Sequence, residues 1–565
     1  MRYKASLAVA ACAAATLGLA ACGSSGGSSA SSGTSSSPQI LTMESSPAGG
    51  PVPDIFNPFS TQLSASNTLG LTDMIYEPLL QFNDLKPGTW YPWLATSYSW
   101  SNGGKTITFP IRAGVKFTDG ESFNANMAAW EFNFLKAHAD INTNGLPIVS
   151  ASAPNATTLT VTFSSPQYTN LYNIADTPMI PEGIWSKQSD PGKYADTNPV
   201  GTGPYTLKTF SPQGVLLTRN TKYWQGESHV PELDFPAYTS NTTANAALED
   251  GSLQWAGNFV QNIQSDFVSK SPNYHYWDFG LQTETLIPNL TTFPFSGPGG
   301  LAVREAISDG LNRNVISADG EGGEQPPAVG AGSLTGITIP LDNQYITPAV
   351  SQYATTYDPS KAEQILKAAG WTMGSNGYFQ KGGKTLAFTV EDPAAYSDFD
   401  ADDDIMQQQL KAVGIEVTVK QTSIAEWDAD LADGNFNSMA HWGNGGISPY
   451  NMYQNWLDTS LYTATPKAAT GDYERFTGPV ANQADALLNA YAATNSAAQQ
   501  TQDVVGLEKI IAQNLPVIPL FYGVAWFDYN DSQWTGWPSP SNEYAPGEPA
   551  QPFNEIVVLR LRPKS

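Results

Sequence analysis

The stretch His441-Trp442-Gly443-Asn444-Gly445-Gly446-Ile447-Ser448-Pro449-Tyr450, with Asn451 and Trp456 behind it, holds residue types that recognise a polar ligand. An aromatic face covers the apolar C–H side of a sugar ring, while amide side chains pair with its hydroxyls. Trp442, Asn444, Tyr450, Asn451 and Trp456 supply both kinds of group. The plain alternative is that Trp442 and Trp456 are core and that the glycines only turn the chain.

Other chemistries fail on spacing. Gly23-Ser24-Ser25-Gly26-Gly27 has the Gly-x-Ser-x-Gly form of a hydrolase elbow, but it sits in a Ser/Gly run with no strand or helix signal around it. Paired carboxylates abound in an acidic chain, so a secreted glycoside hydrolase stays open as a distant alternative, with no catalytic residue assigned. Gly377 to Gly382 has a phosphate-loop interval, yet Gly383 displaces Lys384-Thr385 by one position, and a β-hairpin is expected instead. Asp398, Asp400, Asp402, Asp403 and Asp404 suggest a calcium loop, whose sixth and twelfth places want Gly and Glu but hold Asp403 and Gln409. Their expected role is to favour the dipole of a helix from about 405. His138, His229, His275 and His441 show no paired spacing, so no metal and no cofactor is expected.

Composition narrows the partners. A net charge of −25, from 52 acidic and 27 basic residues, argues against nucleic acid and against a basic membrane-docking face. Only 14% of residues are charged, and amides, hydroxyls and aromatics take their place. Arg2 and Lys4 precede an apolar run from Ala5 to Gly18, which reads as a signal peptide over 1–21, too short to span a bilayer. It ends in Leu19-Ala20-Ala21-Cys22, which resembles a bacterial lipobox, so Cys22 is expected to carry lipid. Two acyl chains there would anchor the protein durably, and the Ser/Gly run over 22–37 would act as a tether of roughly 20 Å. Cys12 leaves with the signal, so the mature fold is expected to lack disulfides and thiol chemistry.

The elements that must position these groups alternate between strand and helix. Thr106 to Ile111 and Thr157 to Phe163 have strand periodicity. Asn126 to His138 has helical spacing, with Asn124 as N-cap. Helices are expected over 302–311, 360–369, 405–413, 483–494 and 502–514. The strand 415–419 after the third of these suggests a crossover unit in a mixed sheet.

Several phrases then point to one family. They are Ile75-Tyr76-Glu77-Pro78-Leu79-Leu80, Leu94-Ala95-Thr96-Ser97, Ile111 to Gly120, Pro199-Val200-Gly201-Thr202-Gly203-Pro204-Tyr205, Tyr223-Trp224, Val303-Arg304-Glu305-Ala306, Asn312-Arg313, Tyr357-Asp358-Pro359, Ala369-Gly370-Trp371 and Leu515 to Leu520. In this order the chain, over about 39–560, resembles the family 5 extracellular solute-binding proteins, receptors of ABC importers for oligopeptides, dipeptides, nickel and oligosaccharides. Most of these phrases read as structural: Gly201 and Gly203 as turns, Asp119-Gly120 as a hairpin, Arg112 and Glu305 as domain ties.

The resemblance implies an α/β, two-lobe periplasmic-binding-protein-like fold of class II with an extra domain on lobe I. Carried over, lobe I comprises 38–84, 199–288 and 516–565, the extra domain 85–198, and lobe II 289–515, with the hinge at Pro288 and Pro516. It also implies a monomeric, non-enzymatic receptor outside the cytoplasm, held at the outer face of the cell membrane and working with an ABC permease. By position in the family, Trp255, Asn258, Asn57, Phe59 and Asn289 join the ligand candidates. Peptide-binding members carry an Asp three residues after the matching Trp, which pairs with the peptide ammonium. Here that place holds Gly445, with Asn444, Asp428 or Asp433 left open as replacements. The ligand expectation therefore leans to an oligosaccharide, with an oligopeptide as the alternative.

Overall fold

The computed structural model describes residues 39–44, 50–60, 62–443, 448–464, 466–550 and 552–564. The signal peptide, Cys22 and the whole Ser/Gly tether lie outside the described residues, as do Asn444 and Gly445.

Two mixed sheets organise the body. The lobe I sheet has seven strands in the spatial order Tyr274–Tyr276, Asp528–Asn530, Trp255–Ala256, Ile40–Glu44, Glu232–Pro236, Gly214–Arg219 and Tyr205–Ser211. Ile40–Glu44 runs parallel to both of its neighbours, and its alternate residues Leu41 and Met43 are fully buried. The lobe II sheet has five strands: Glu416–Thr422, Ala387–Pro393, Ser438–Trp442, Phe279–Pro288 and Ile518–Ala525. Ala387–Pro393 and Glu416–Thr422 pair in parallel across the helix Ser397–Ala412, which is the crossover unit read from the sequence. That helix starts well before 405. Asp398 and Asp400 fill its first turn, where carboxylates offset the unpaired N–H groups.

The extra domain is a four-stranded antiparallel sheet under the helix Ala125–Ala137, which Asn124 caps through the amides of Asn126 and Met127. Its Phe109 and Val161 share one continuous core with Leu41 and Leu233 of lobe I. Arg112 ties them, donating from Nε to the Trp93 carbonyl at 2.8 Å beneath the Trp224 ring. Gly201 departs from the turn expectation: its φ is not left-handed, and a Cβ there would lie 1.8 Å from the Ile75 carbonyl oxygen. Close backbone approach, not turn geometry, requires that glycine.

The chain crosses between the two sheets elsewhere than at Pro288 and Pro516. Tyr276 pairs with Asp528 in the lobe I sheet, and Phe279 pairs with Ala525 in the lobe II sheet. Two antiparallel segments therefore cross side by side at 277–278 and 526–527. The Trp277 amide donates to Phe527 at 3.0 Å, and the Phe527 amide donates to the Asp278 carboxylate at 3.1 Å. Pro288 instead ends a central lobe II strand opposite Ser438, and Pro516 precedes another, so both sit inside lobe II.

Candidate functional site

Strand ends of the two lobes and loops of the extra domain enclose a continuous cleft. It has three joined chambers of about 320, 740 and 370 Å³. The first two share Thr143, Asn144, Tyr172 and Pro552, and the second and third share Leu281, Gln282, Trp442 and Glu548. Asp84 and Glu548 face it from lobe I, Gln167 and Asn170 from the extra domain, and Asn451 and Gln454 from lobe II. The lobes meet at its third chamber, where Asn241 of lobe I donates from Nδ2 to Asp398 Oδ1 at 3.3 Å and from its amide to Ala395 at 3.3 Å.

Trp442 stands where the second and third chambers join, and its ring is fixed from behind. Trp427, His441 and Trp442 form a triangle of rings, with His441 5.3 Å from Trp427 and 4.8 Å from Trp442 and the two indoles 5.7 Å apart. Burial lowers the His441 pKa to about 4, so the stack stays uncharged near neutral pH. The next residue must be small: a Cβ on Gly443 would come within 2.7 Å of the Trp456 ring. Trp456 is thus a buttress beneath the segment.

The cleft is rich in acceptors and poor in cations. No Lys, Arg or His lines the three chambers among the described residues. Asp84 Oδ1, Asp176 Oδ1, Asn258 Oδ1, Asn451 Oδ1 and Asn455 Oδ1 are buried on these walls with no hydrogen-bond partner. Burial raises the pKa of Asp84 to about 7, and burial with the nearby Asp84 raises that of Glu548 to about 7. In the third chamber, burial and then Asp398 raise Glu284 to about 8, while Asp398 rises to about 6, mainly by burial. A ligand here meets unpaired oxygens, and buried acceptors want donors.

The residues singled out from the sequence divide sharply. Trp442, Asn451 and Asn258 line the cleft, and Phe59 borders its first chamber while packing edge-on against Trp185. Trp456 is core, in T-shaped contact with Tyr453 at 6.2 Å. Tyr450 stacks on Tyr491 at 5.1 Å, with its hydroxyl against Thr169 of the extra domain. Trp255 is fully buried and donates its indole N–H to the Gly547 carbonyl at 2.7 Å. Asn57 spends both amide hydrogens on the carbonyls of Pro191 and Tyr194, each at 2.8 Å. Asn289 does the same with Gly434 and Phe436, at 3.1 and 3.2 Å. These five hold loops and cores together: Trp255, Asn57 and Asn289 spend their polar hydrogens on backbone carbonyls, while Trp456 and Tyr450 pack their rings on other aromatics. Neither Asp428 nor Asp433 lines a chamber.

Sequence reasoning missed Asp84, Tyr172, Gln282, Glu284, Tyr396, Phe399, Trp526 and Glu548 as cleft residues, and it read Asp398 only as a helix-dipole acid. One signal was available: Trp526 follows directly on the uninterrupted apolar strand Ile518–Ala525, at the place where the chain leaves that sheet. Among the described residues, Glu391, Glu426 and Asp430 are close enough to share an ion. Lys420 Nζ already lies 2.9, 3.4 and 3.5 Å from them and fills that place. Gly382 and Gly383, both left-handed, turn a hairpin between Phe379–Lys381 and Lys384–Thr385, as expected in place of a phosphate loop.

A family model described as bacterial extracellular solute-binding proteins, family 5 Middle, matches residues 89–463. The nickel-binding periplasmic protein of Escherichia coli K12 is 28% identical over 412 residues, covering 70% of this chain and 74% of its own length. The glutathione-binding protein GsiB of the same strain is 28% identical over 457 residues, covering 76% and 79%. Among solved structures, the mannohexaose-bound periplasmic oligopeptide-binding protein of Thermotoga maritima superposes with a TM-score of 0.82 at 23% identity, covering 94% of this chain and 100% of that one. The oligopeptide-binding protein AppA of Bacillus subtilis, in complex with a nonapeptide, gives a TM-score of 0.75 at 18% identity, covering 94% and 99%.

Proposed function

The chain belongs to the family 5 bacterial extracellular solute-binding proteins, the extracytoplasmic receptors of ABC importers, and from that premise we propose that it captures a short oligosaccharide around Trp442 for a membrane permease. One observation carries the reading: a cleft walled by both lobes, with an aromatic face at its centre, unpaired amide and carboxylate oxygens on its walls, and no basic side chain among its described lining residues. Sugar hydroxyls donate to such oxygens, and the apolar face of a ring lies on Trp442. A peptide or glutathione carboxylate finds no cation there, and nickel finds no imidazole. A fold neighbour holds mannohexaose, which agrees with this choice.

The mechanism follows from the two crossings. A ligand that touches both lobes stabilises the closed arrangement over the open one, and the permease distinguishes the two. Among the described residues no helix is long and apolar enough to cross a membrane, and we assign membrane attachment to lipid on Cys22.

A thermal-shift panel of gluco-, manno-, xylo- and glucosamine oligomers against di- to pentapeptides tests the reading. A rise in Tm with sugars alone supports it. A rise with peptides alone overturns it in favour of an oligopeptide receptor.

A further inference from the structure

The third chamber differs from the rest of the cleft in its combination of groups. Phe259 and Trp526 meet edge to face at 5.6 Å on one wall, and Tyr396 and Phe399 do so at 5.7 Å on another, with Trp442 closing the side toward the second chamber. Besides Glu548, which this chamber shares with the second, two carboxyl groups, Glu284 and Asp398, stand among these rings. Their side-chain partners are neutral amides: Gln325 Nε2 at 3.4 Å from Glu284 and Asn241 Nδ2 at 3.3 Å from Asp398. Behind them lie more acids, Glu321 and Asp402, and no cation lines the chamber among the described residues.

A third acceptor is independent of the acids. Asn258 is only 2% exposed, lines the chamber, and leaves Oδ1 without a partner. Its orientation is fixed by its neighbour: Asn245 donates from Nδ2 to the Phe259 carbonyl at 2.9 Å, so Asn245 Oδ1 must accept from Asn258 Nδ2. That leaves the Asn258 oxygen as a buried acceptor on the wall.

An ammonium group has three donors and no acceptor, and aromatic faces attract it. We propose that this chamber seats a protonated amine of the ligand, held by Glu284, Asp398 and Asn258 among the aromatic rings. The oligosaccharide proposed above is then one whose sugar units carry free amines. The sugar part rests on that earlier reading, and the charge part does not. The raised pKa values fit: without a cation Glu284, at about 8, holds its proton at pH 7 while Asp398, at about 6, is mostly ionised there, and an arriving ammonium lets Glu284 ionise as well.

Calorimetric titration of the purified protein at pH 7 tests the proposal with glucosamine trimers, N-acetylglucosamine trimers, glucose trimers and spermidine. The glucosamine trimer is expected to bind at least about 10-fold tighter than its N-acetylated form, because acetylation removes the charge from a buried pair. Glu284→Gln and Asp398→Asn should each collapse that ratio toward one, and Asn258→Asp should raise it. Thermal melting of each variant separates lost binding from lost fold. Equal affinity for acetylated and free amines, or a ratio that all three variants leave unchanged, overturns the proposal. Binding of spermidine but of no sugar, sensitive to Glu284→Gln, keeps the charge assignment and sinks the sugar. Binding of neutral sugars but of no amine does the reverse, and failure of every amine to bind overturns the charge assignment outright.

Discussion

Trp255 in lobe I and Trp442 in lobe II each stand on a sheet strand beside the cleft, and each is followed closely by asparagine and glycine. Trp255 lies inside its sheet: Met43 pairs with it on one side and Tyr529 on the other, and the rings of Trp537 and Phe527 approach to 5.3 and 6.5 Å. Trp442 is the last residue of its strand. Glu284 still pairs with it on one side, but on the other the strand Ala387–Pro393 pairs only as far as Ser438. The sheet has parted at Trp442, so the ring has space that a ligand can enter. Ligands of open α/β sheets collect at such strand ends. In lobe I the same logic passes the cleft role from Trp255 to Asn258, beyond the end of the strand.

The comparison breaks first on stability. Trp456→Ala should cost about 3–5 kcal/mol in a denaturant titration, as expected for a large aromatic removed from a core. Trp442→Ala, with a half-exposed ring, should cost far less in the same assay, and equal losses would mean that both are core. Next, Trp255→Phe keeps most of the apolar volume but leaves the Gly547 carbonyl without its indole donor. A loss of about 1–3 kcal/mol is expected, and Asn57→Ala should fall in the same range by orphaning two carbonyls.

The contrast in charge gives a subtler effect. Glu284, Asp84 and Glu548 have native pKa values of about 8, 7 and 7, above their ordinary carboxyl values. Between those limits the folded protein binds more protons than the unfolded chain, so these groups favour folding at low pH and the benefit is lost as pH rises through 7–8. The ligand-free Tm should therefore rise as pH falls from 8 toward 5. His441 works the other way below its ordinary value of 6.5, because the unfolded chain takes up its proton while the native ring waits until about 4. Glu284→Gln should flatten the upper part of the profile, and an unchanged profile would contradict the assignment. The smallest effect is Trp442→Phe, which keeps an aromatic face and should weaken sugar binding by about 0.5–1 kcal/mol in a fluorescence titration.

How far the sequence carried this depends on the range of the forces involved. Local signals served well: the Asn124 cap, the 382–383 hairpin and the crossover around 397–422 each depend on residues close in the chain. The ordered phrases carried the two-lobe fold. The crossings expected at Pro288 and Pro516 came with the resemblance, and only strand register shows that both prolines lie within lobe II. The site was half legible for the same reason. Trp442 and Trp255 are alike in the sequence, and what separates them is whether a neighbouring strand reaches that far. The acids facing the cleft were invisible, since their placement depends on chain segments brought together from across the molecule, as with Asp84 and Glu548.

The central claim, that ligand binds against Trp442 in a cleft closed by both lobes, meets its most direct test in one titration. Wild-type protein and Trp442→Ala would be compared by calorimetry, using the oligosaccharide that gives the greatest Tm rise. Loss of about 10-fold or more in affinity, with the melting temperature of the free variant close to that of the wild type, is the result this account requires. Unchanged affinity would place the ligand elsewhere and contradict it.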